Sequence, residues 1–514
     1  MKKERDHLFN ASLIIASSTL LSRILGFVRD IMIVWLLGTS FFSDAFFAAF
    51  RVPETFRKLC AEGSLSSSFI PLFSKNIDNR IKLNNIAGSL FRSTIILLIP
   101  AVILLIVFSP EFIKIFAGGF FKNPEKFQLT VLLSQIMFPY LFFVSLSAIS
   151  MGFLNSLNHF TSPALSSVFL NLTIISFISV AYLTAENPVV YIAVGVVAGG
   201  LLQFLIQVPF LKQNGFTFRT IIKKDNINIS KVISNSFNST LGISLSQMNM
   251  LTGTIVATFL VQGSVTYLYI ADRLVQFPLS VLGTSLSSAF FPSIARETVN
   301  DEIKKLYMSC VKLILFVIIP AMVGLILIRE PVISILFLGK FTPPEIKDIS
   351  QVLLFYSISM WVWGVTRITV SVYYSLEDNK TPAIISSISM ILNIIFAISL
   401  VFHLGVSGIA LASSISGSIN LTVLVLLLGK KIKIDYINIL SSSCKTIFNS
   451  VIMGAIVYTA LNKIYFTDVL ILQIFYIFLI ILIGIMVYAI CSYFTKSSEL
   501  YILIKHIKGN KKDE

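Results

Sequence analysis

The chain has 514 residues, of which 55% are hydrophobic and only 13% are charged. A soluble globular protein carries roughly 25% charged residues, so this composition excludes a soluble fold. The net charge of +15 is no sign of a nucleic-acid partner, because the basic residues gather in alternate loops, as membrane topology requires. The four cysteines and four histidines are dispersed, and no nucleotide-binding or nucleophile motif occurs. We therefore predict no metal, no cofactor and no enzymatic chemistry.

Apolar runs of about 20 residues recur from end to end, and each is long enough to cross a bilayer as a helix. They predict an all-α integral membrane protein with about fourteen transmembrane helices. The first run is predicted to be a membrane helix and not a cleaved signal peptide, because it holds Arg23, Arg29 and Asp30 and lacks a clear cleavage site. The predicted spans are 8–38, 41–74, 85–109, 128–156, 162–183, 188–211, 231–261, 264–296, 307–328, 347–375, 381–402, 405–429, 443–464 and 469–494.

Lysine and arginine are distributed unequally between the two sides that these spans define. With the N-terminus placed inside, the inner segments hold 24 basic residues and the outer loops hold 7. This asymmetry predicts that both termini lie in the cytoplasm.

The chain also repeats itself at a nearly constant offset. The stretch from Ser64 to Lys75 aligns with the stretch from Ser285 to Arg296, and weaker matches follow at nearly the same offset. The offset covers six helices, so the two copies cross the membrane in the same direction, and a substrate site is expected between them. We predict an N-lobe (1–215), a C-lobe (216–432) and two additional helices with a tail (433–514).

Charged side chains lie inside the first, second and eighth spans, where one charge costs roughly 2.5–3.5 kcal/mol on insertion scales. Such residues are retained only where they face protein or a water-filled cavity. Helical spacing places Arg23 and Asp30 on one face and allows Glu54 to pair with Lys58 one turn away. The charged residues of the three spans are Arg23, Arg29, Asp30, Asp44, Arg51, Glu54, Arg57, Lys58, Glu62, Asp272 and Arg273.

Basic groups outnumber acidic groups in the first two spans, with five against four. Asp44 is expected near the outer end of the second span and Glu62 near its inner end. The middle of the membrane should therefore be more basic than the count of five against four indicates. Arginine forks bind phosphate oxygens bidentately, and Arg273 comes from the second repeat. The charges predict an anionic, phosphate-bearing substrate. The structural alternative is a set of ion pairs that only hold the helices together.

Four motifs carry a resemblance to a known family. They are Ser22-Arg23-Ile-Leu-Gly-Phe-Val-Arg29-Asp30, Ser43-Asp44-Ala-Phe-Phe-Ala-Ala-Phe, the stretch from Pro53 to Ala61-Glu62-Gly63, and Tyr269-Ile-Ala-Asp272-Arg273-Leu-Val-Gln276-Phe-Pro278. The sequence resembles the MurJ (MviN) family of bacterial lipid II flippases, within the multidrug/oligosaccharidyl-lipid/polysaccharide exporter superfamily. The likeness runs across almost the whole chain.

The resemblance implies two six-helix lobes that form a V around a cationic cavity, and two further helices that form a groove for the polyprenyl tail. Residues at the positions of Arg23, Arg29 and Arg273 line that cavity in the family and hold the pyrophosphate. Some relatives carry Glu where this sequence has Gln276, so an acidic partner for Arg273 is not assumed. The remaining expected site residues are Ser22, Asp30, Asp44, Arg51, Arg57, Lys58 and Glu62.

A sodium site of some family members uses acids on the seventh and eleventh helices. The corresponding spans 231–261 and 381–402 hold no Asp or Glu, so coupling to sodium through that site is not expected. Membrane potential and protons are the alternatives.

We therefore expect an alternating-access flippase for lipid II, the undecaprenyl-pyrophosphate-linked disaccharide peptide, in the bacterial inner membrane. Membrane lipids and peptidoglycan synthases are the other expected partners. A flippase for another lipid-linked glycan is the nearest alternative. A multidrug or cation antiporter would need a membrane acid as its cation site. An enzyme acting on polyprenyl phosphates would need acidic metal motifs or a catalytic histidine, and neither is visible.

Overall fold

The structure is a computed structural model, and it describes residues 2–60, 73–184, 187–221, 248–280, 300–337, 340–463 and 469–509. The described residues form helices and short connections, without a β-strand among them. The chain divides into two compact units, Met1–Thr266 and Tyr267–Glu514. The predicted division into segments 1–215, 216–432 and 433–514 stays a prediction.

The first unit contains ten described helices, followed by the start of an eleventh. They are α1 (Lys2–Leu37), α2 (Phe41–Cys60), α3 (Arg80–Val107), α4 (Ser109–Phe116), α5 (Pro124–Met137), α6 (Pro139–Ser156), α7 (Thr161–Thr184), α8 (Pro188–Leu205), α9 (Val208–Gln213) and α10 (Met248–Ala257). Helix α11 (Ser264–Pro278) begins here and continues in the second unit.

The second unit contains the rest of α11 and eight further described helices. They are α12 (Asn300–Leu336), α13 (Pro343–Ile358), α14 (Met360–Ser375), α15 (Lys380–Leu404), α16 (Val406–Ile432), α17 (Tyr436–Lys463), α18 (Leu470–Phe494) and α19 (Ser498–Gly509).

Ten stretches of the described helices are long and apolar enough to cross a membrane, which agrees with a multi-pass membrane protein. They coincide with ten of the fourteen predicted spans, those from 85–109 to 188–211 and from 307–328 to 469–494. Two other predicted spans, 231–261 and 264–296, are described only in part, as α10 and α11. The span 8–38 corresponds to α1. In the span 41–74, residues 41–60 and 73–74 are helical and residues 61–72 lie outside the described residues.

Polar residues mark the helix ends. The Asn79 side chain accepts from the backbone N–H of Lys82 at 2.9 Å and caps α3. Asn123 does the same for α5 through the N–H of Lys126 at 3.2 Å, and a proline follows it at the first helical position. Both residues satisfy donors that a helix N-terminus leaves unbonded. Gly405 ends α15 with φ +56°, a conformation that side chains rarely adopt.

Within the first unit, α7 packs along both α1 and α8, while α2 packs against α5 and α3 against α6. Four phenylalanines form a cluster at one end of α3 and α6, with ring centroids 5.3 to 5.8 Å apart: Phe73, Phe91, Phe153 and Phe216. Within the second unit, α15 packs along α16, and α12 contacts both α14 and the pair α17–α18.

Helix boundaries recur along the chain at nearly constant spacing. Asn158 and Glu377 each follow a helix end with positive φ, 59° and 57° respectively. Gly215 and Lys433 also follow helix ends with positive φ, 88° and 51° respectively. The separation of this pair in sequence is almost equal to that of the first pair. Both separations are close to the offset of the predicted repeat, so the two units interrupt their helices at corresponding positions in the sequence.

Candidate functional site

Arg29 is buried inside the first unit, with 8% of its surface exposed. Its guanidinium donates to Oδ1 of Asp30 from Nε (2.9 Å) and from Nη2 (2.6 Å). Nη1 donates to Oδ1 of Asn171 at 3.0 Å, and the Phe50 ring centroid lies 5.6 Å from Cζ. The guanidinium of α1 is therefore held by groups of α1, α7 and α2, which fix its orientation without a ligand.

Asn171 joins α7 to the face of α1 that carries Ser22 and Arg29. Its Nδ2 donates to the carbonyl oxygen of Ser22 at 3.0 Å and to its hydroxyl at 3.4 Å. A Cβ added to Gly26 would lie 3.6 Å from the Asn171 amide, which is an ordinary van der Waals contact between the two helices. Asn171 was not among the predicted site residues, although a single asparagine in an apolar helix is a signal for such a polar contact.

The second cluster lies within α2. Nη1 of Arg51 is 3.3 Å from Oε2 of Glu54, and Nζ of Lys58 is 3.9 Å from Oε1 of the same carboxylate. The predicted pairing of Glu54 with Lys58 is confirmed. Glu54 is only 3% exposed and lies between two cations.

Asp44 lies at the start of α2 and is 1% exposed. Its Oδ1 accepts from the backbone N–H and the hydroxyl of Thr266 at 3.0 and 2.8 Å. Its Oδ2 accepts from the backbone N–H of Gly263 and from Nζ of Lys126, both at 2.8 Å. The carboxylate therefore caps the first turn of α11, where a negative charge is favourable.

Lys126 is the second residue that sequence reasoning missed. It precedes the predicted span 128–156 and so counted among the outer-loop residues, whereas it lies in the first turn of α5 and is 7% exposed. Its ammonium group lies 4.1 Å from the Phe120 ring centroid and bonds to Asp44. Because Lys126 and Asp44 are buried together, each supplies the countercharge that the other needs.

In the second unit, α11 carries Arg273 and Gln276. Nη2 of Arg273 donates to the Tyr269 hydroxyl at 3.1 Å, and Cζ lies 4.7 Å from that ring centroid. Nε2 of Gln276 donates to both oxygens of the buried Asp272 at 2.9 and 3.0 Å. The Gln276 amide is thus a hydrogen-bond donor to the neighbouring carboxylate.

The described residues show how the predicted site residues are distributed. Arg29 and Ser22 both bond Asn171, and Asp30 bonds Arg29. Arg51 and Lys58 share the carboxylate of Glu54. Arg23 and Arg57 are half-buried on α1 and α2. Glu62 lies outside the described residues.

A cavity of about 630 Å³ lies elsewhere in the second unit. Its lining residues come from α12, α13 and α18 and include none of the predicted site residues: Glu330, Pro331, Ser334, Ile335, Pro343, Ile346, Lys347 and Gln473. Among the described residues no group of three or more His, Cys, Asp or Glu side chains is arranged to hold a metal ion.

Comparison with known proteins identifies relatives along nearly the whole chain. A protein of Buchnera aphidicola subsp. Acyrthosiphon pisum named "Probable lipid II flippase MurJ" is 37% identical over 421 residues, covering 80% of this chain and 81% of its own. A protein of Vibrio cholerae with the same name is 33% identical over 430 residues, covering 81% and 82%.

Solved structures agree with these relatives. One described as "Lipid II flippase MurJ, inward closed conformation" matches with a TM-score of 0.81 at 28% identity, over 94% of this chain and 99% of the other. An inward-facing multidrug resistance MATE family transporter of the MOP superfamily shares the fold, with a TM-score of 0.69 at 15% identity. The family described as "Lipid II flippase MurJ" matches residues 33–489. The chain therefore belongs to the lipid II flippase MurJ family.

Proposed function

We propose that this protein moves lipid II from the inner to the outer leaflet of the bacterial inner membrane by alternating access, and so supplies peptidoglycan synthesis. The family match over residues 33–489 is the observation that carries the proposal. Binding and reorientation of the substrate suffice for this function, so no covalent chemistry is assigned to the chain.

The pyrophosphate of the substrate is the group that the buried arginines would bind. A guanidinium has five N–H donors in a planar fork that matches phosphate oxygens. In Arg29 three donor atoms contact Asp30 and Asn171. A pyrophosphate that approaches Arg29 would compete with Asp30 for this fork. Arg29 would then bond Asp30 without substrate and pyrophosphate with substrate. These two sets of contacts differ in free energy, and transport requires such a difference between states.

Further cations of the first unit would add to the attraction. Arg51 and Lys58 both contact the carboxylate of Glu54, and each is a cation that would attract phosphate. We assign Arg23 and Arg57 to the same role through the resemblance of their motifs to the family. We also assign Arg273 of the second unit, whose guanidinium is oriented by Tyr269.

The remaining parts of the proposal concern placement in the membrane. Both termini are assigned to the cytoplasm, because basic residues are concentrated in the segments on that side. The pair α17–α18 is assigned to the polyprenyl tail, and enzymes that polymerise peptidoglycan are the expected consumers of the exported lipid.

The test is a flipping assay with the purified protein in liposomes that contain labelled lipid II. We expect label to reach the opposite leaflet with the wild-type protein. Arg29→Ala should slow this transfer by about tenfold or more, since a hydrogen bond to a charged group contributes about 1.5–3 kcal/mol. Lys305→Ala is the matched control. This lysine is exposed, and among the described residues its ion pair is with Glu302, which is also exposed.

The nearest alternative function is a flippase for another lipid-linked glycan. A second substrate in the same assay distinguishes it from a lipid II flippase. A polyprenyl-pyrophosphate that carries an unrelated glycan should compete poorly with lipid II. If both lipids are flipped at the same rate, the specificity for lipid II is wrong and the broader glycan flippase is correct. If neither lipid moves in liposomes with folded protein, the proposed function is wrong.

A further inference from the structure

Helix α12 contains a proline, Pro320, within its apolar part. Proline has no backbone N–H, so the carbonyl of the residue four positions earlier loses its usual helical partner. That residue is Phe316. In a membrane interior no water is available to satisfy such a carbonyl, so a neighbouring group of the protein must bond it.

Tyr488 of α18 supplies the missing donor. Its hydroxyl donates to the carbonyl oxygen of Phe316 at 2.6 Å. The two rings also contact each other, with centroids 5.1 Å apart. Phe316 and Tyr488 are only 4% and 8% exposed, so the bond lies in the interior of the helix pair. A hydrogen bond of this kind replaces the intrahelical bond that Pro320 prevents.

Small residues let the additional helices approach α12 on the same side. A Cβ added to Gly454 of α17 would lie 3.0 Å from the Val323 side chain, which makes this a close contact. A Cβ on Gly484 of α18 would lie 3.3 Å from Val457 of α17. Helices α17 and α18 therefore pack closely together, and α17 packs closely on α12 just beyond Pro320.

A proline at a similar sequence position of the first unit provides a contrast. Pro100 of α3 precedes Pro320 by nearly the offset of the predicted repeat. Around Pro100 the helix surface is exposed, with Ile96 at 65%, Leu97 at 64% and Leu104 at 56%. No described helix covers this face as α18 covers Phe316. The tyrosine contact thus belongs to the helices that lie outside the repeat.

We propose that Tyr488 is a positioning residue, which fixes the pair α17–α18 on α12 by bonding the carbonyl that Pro320 frees. The pair then presents a defined surface to the polyprenyl tail. This second step rests on the proposed function, which assigns the tail to α17–α18. Loss of the Tyr488 hydroxyl keeps the ring contact with Phe316. It leaves the Phe316 carbonyl without a hydrogen-bond donor.

The bond itself is tested by a double-mutant cycle on thermal stability. Tyr488→Phe should lower the melting temperature, because the Phe316 carbonyl loses its donor. Pro320→Ala restores an N–H at position 320, so the hydroxyl becomes dispensable. Tyr488→Phe should therefore cost much less stability in the Pro320→Ala background than in the wild type. Additive effects of the two substitutions would overturn the proposal.

Two controls separate this bond from general damage. Tyr493 lies on the same helix and is 60% exposed, so Tyr493→Phe should leave the melting temperature unchanged. Pro331→Ala changes the other inner proline of α12 and should not rescue Tyr488→Phe. Rescue by Pro331→Ala would show that any loss of proline suffices, and it would refute the specific pairing.

Tail positioning is tested by measuring the binding of two lipids, with the flipping assay run beside it. Tyr488→Phe should weaken binding of full-length lipid II by about fivefold, the equivalent of about 1 kcal/mol. A short-chain prenyl analogue with the same headgroup should bind as before, because it does not reach the same surface. Equal loss for both lipids would refute the positioning role. If the wild type flips neither lipid, the proposed function fails, and the stability cycle still decides the bond.

Discussion

Asp44 of α2 and Lys126 of α5 form a buried ion pair with an N–O distance of 2.8 Å. The same carboxylate accepts three hydrogen bonds from Gly263 and Thr266 at the start of α11. One side chain therefore connects three helices of the first unit. The lysine completes the arrangement, because a carboxylate this deeply buried needs a countercharge or several donors.

The first prediction concerns the two partners of this pair. Asp44→Asn should destabilise the protein by roughly 3–5 kcal/mol, because it leaves the Lys126 charge buried without its partner. It also places an amide NH2 group among four donors, of which only the Thr266 hydroxyl can accept a hydrogen bond. Lys126→Met should cost less, since Asp44 keeps three donors. Thermal unfolding in detergent gives the order of the two effects.

The control for this comparison is Glu302→Gln, which removes a carboxylate from an exposed pair on α12. Exposed pairs contribute about 0–1 kcal/mol, so its melting temperature should stay near that of the wild type. A loss for Lys126→Met that exceeds the loss for Asp44→Asn would contradict the capping role of Asp44.

The second prediction concerns Asn171. Asn171→Leu keeps the volume of the side chain but removes the acceptor for Arg29 and the donor to Ser22. We expect a loss of about 1–3 kcal/mol, the usual effect of leaving buried polar groups unbonded, and slower flipping because the Arg29 fork is less well oriented. Ser176→Ala, on the exposed side of the same helix, is the control. Unchanged flipping by a folded Asn171→Leu variant would remove this residue from the site.

The sequence predicted the helices well, because a span is determined by the length of an apolar run. Ten of the predicted spans coincide with long apolar helices of the structure. The pairing of Glu54 with Lys58 was also predictable, since residues four apart are neighbours on a helix. These features depend on local sequence alone.

Contacts between helices were not predictable in the same way. Spacing places Asp30 on the face of Arg23, and the bond that its carboxylate accepts from the adjacent Arg29 was not predicted. Adjacent residues do not face each other on a helix, so a rule based on Cβ positions does not predict a bond between their side chains. Asn171 is 142 residues away from Arg29 in sequence, so only the packing of α7 on α1 brings them together.

The third prediction concerns pH and Asp378, which lies between α14 and α15. Burial raises the pKa of this carboxyl, but hydrogen bonds from Lys431 and Thr381 outweigh it and lower the pKa to about 2, from the ordinary 3.8. A lowered pKa stabilises the fold at pH values above 3.8 and loses that contribution as the pH falls towards 2. Asp378→Asn should therefore be less stable than the wild type at pH 6.

This difference should shrink steadily as the pH is lowered from 4 towards 2. Melting temperatures of the two proteins at matched pH values measure it, and the effect at pH 6 should be about 1 kcal/mol, since Lys431 is partly exposed. A gap that widens on acidification would contradict the assigned role of the ion pair.

The fourth prediction compares two adjacent glycines before α5. A Cβ at Gly119 would overlap the backbone carbonyl of Thr258, whereas a Cβ at Gly118 would meet nothing nearer than the Phe259 ring at 3.5 Å. The Gly119 N–H also donates to the Thr258 hydroxyl at 3.2 Å. The close approach of two backbones therefore requires glycine at position 119 only.

Gly119→Ala should accordingly destabilise the protein by roughly 1–3 kcal/mol or more, because the methyl group meets backbone atoms that cannot rotate away. Gly118→Ala should be close to neutral, since its methyl group makes an ordinary contact. Both substitutions add one methyl group to the same turn, so a difference in melting temperature reflects packing against Thr258 and not helix propensity. Equal melting temperatures for the two variants would show that the segment around Thr258 moves aside, and the close backbone approach would then be ruled out as a constraint on this turn.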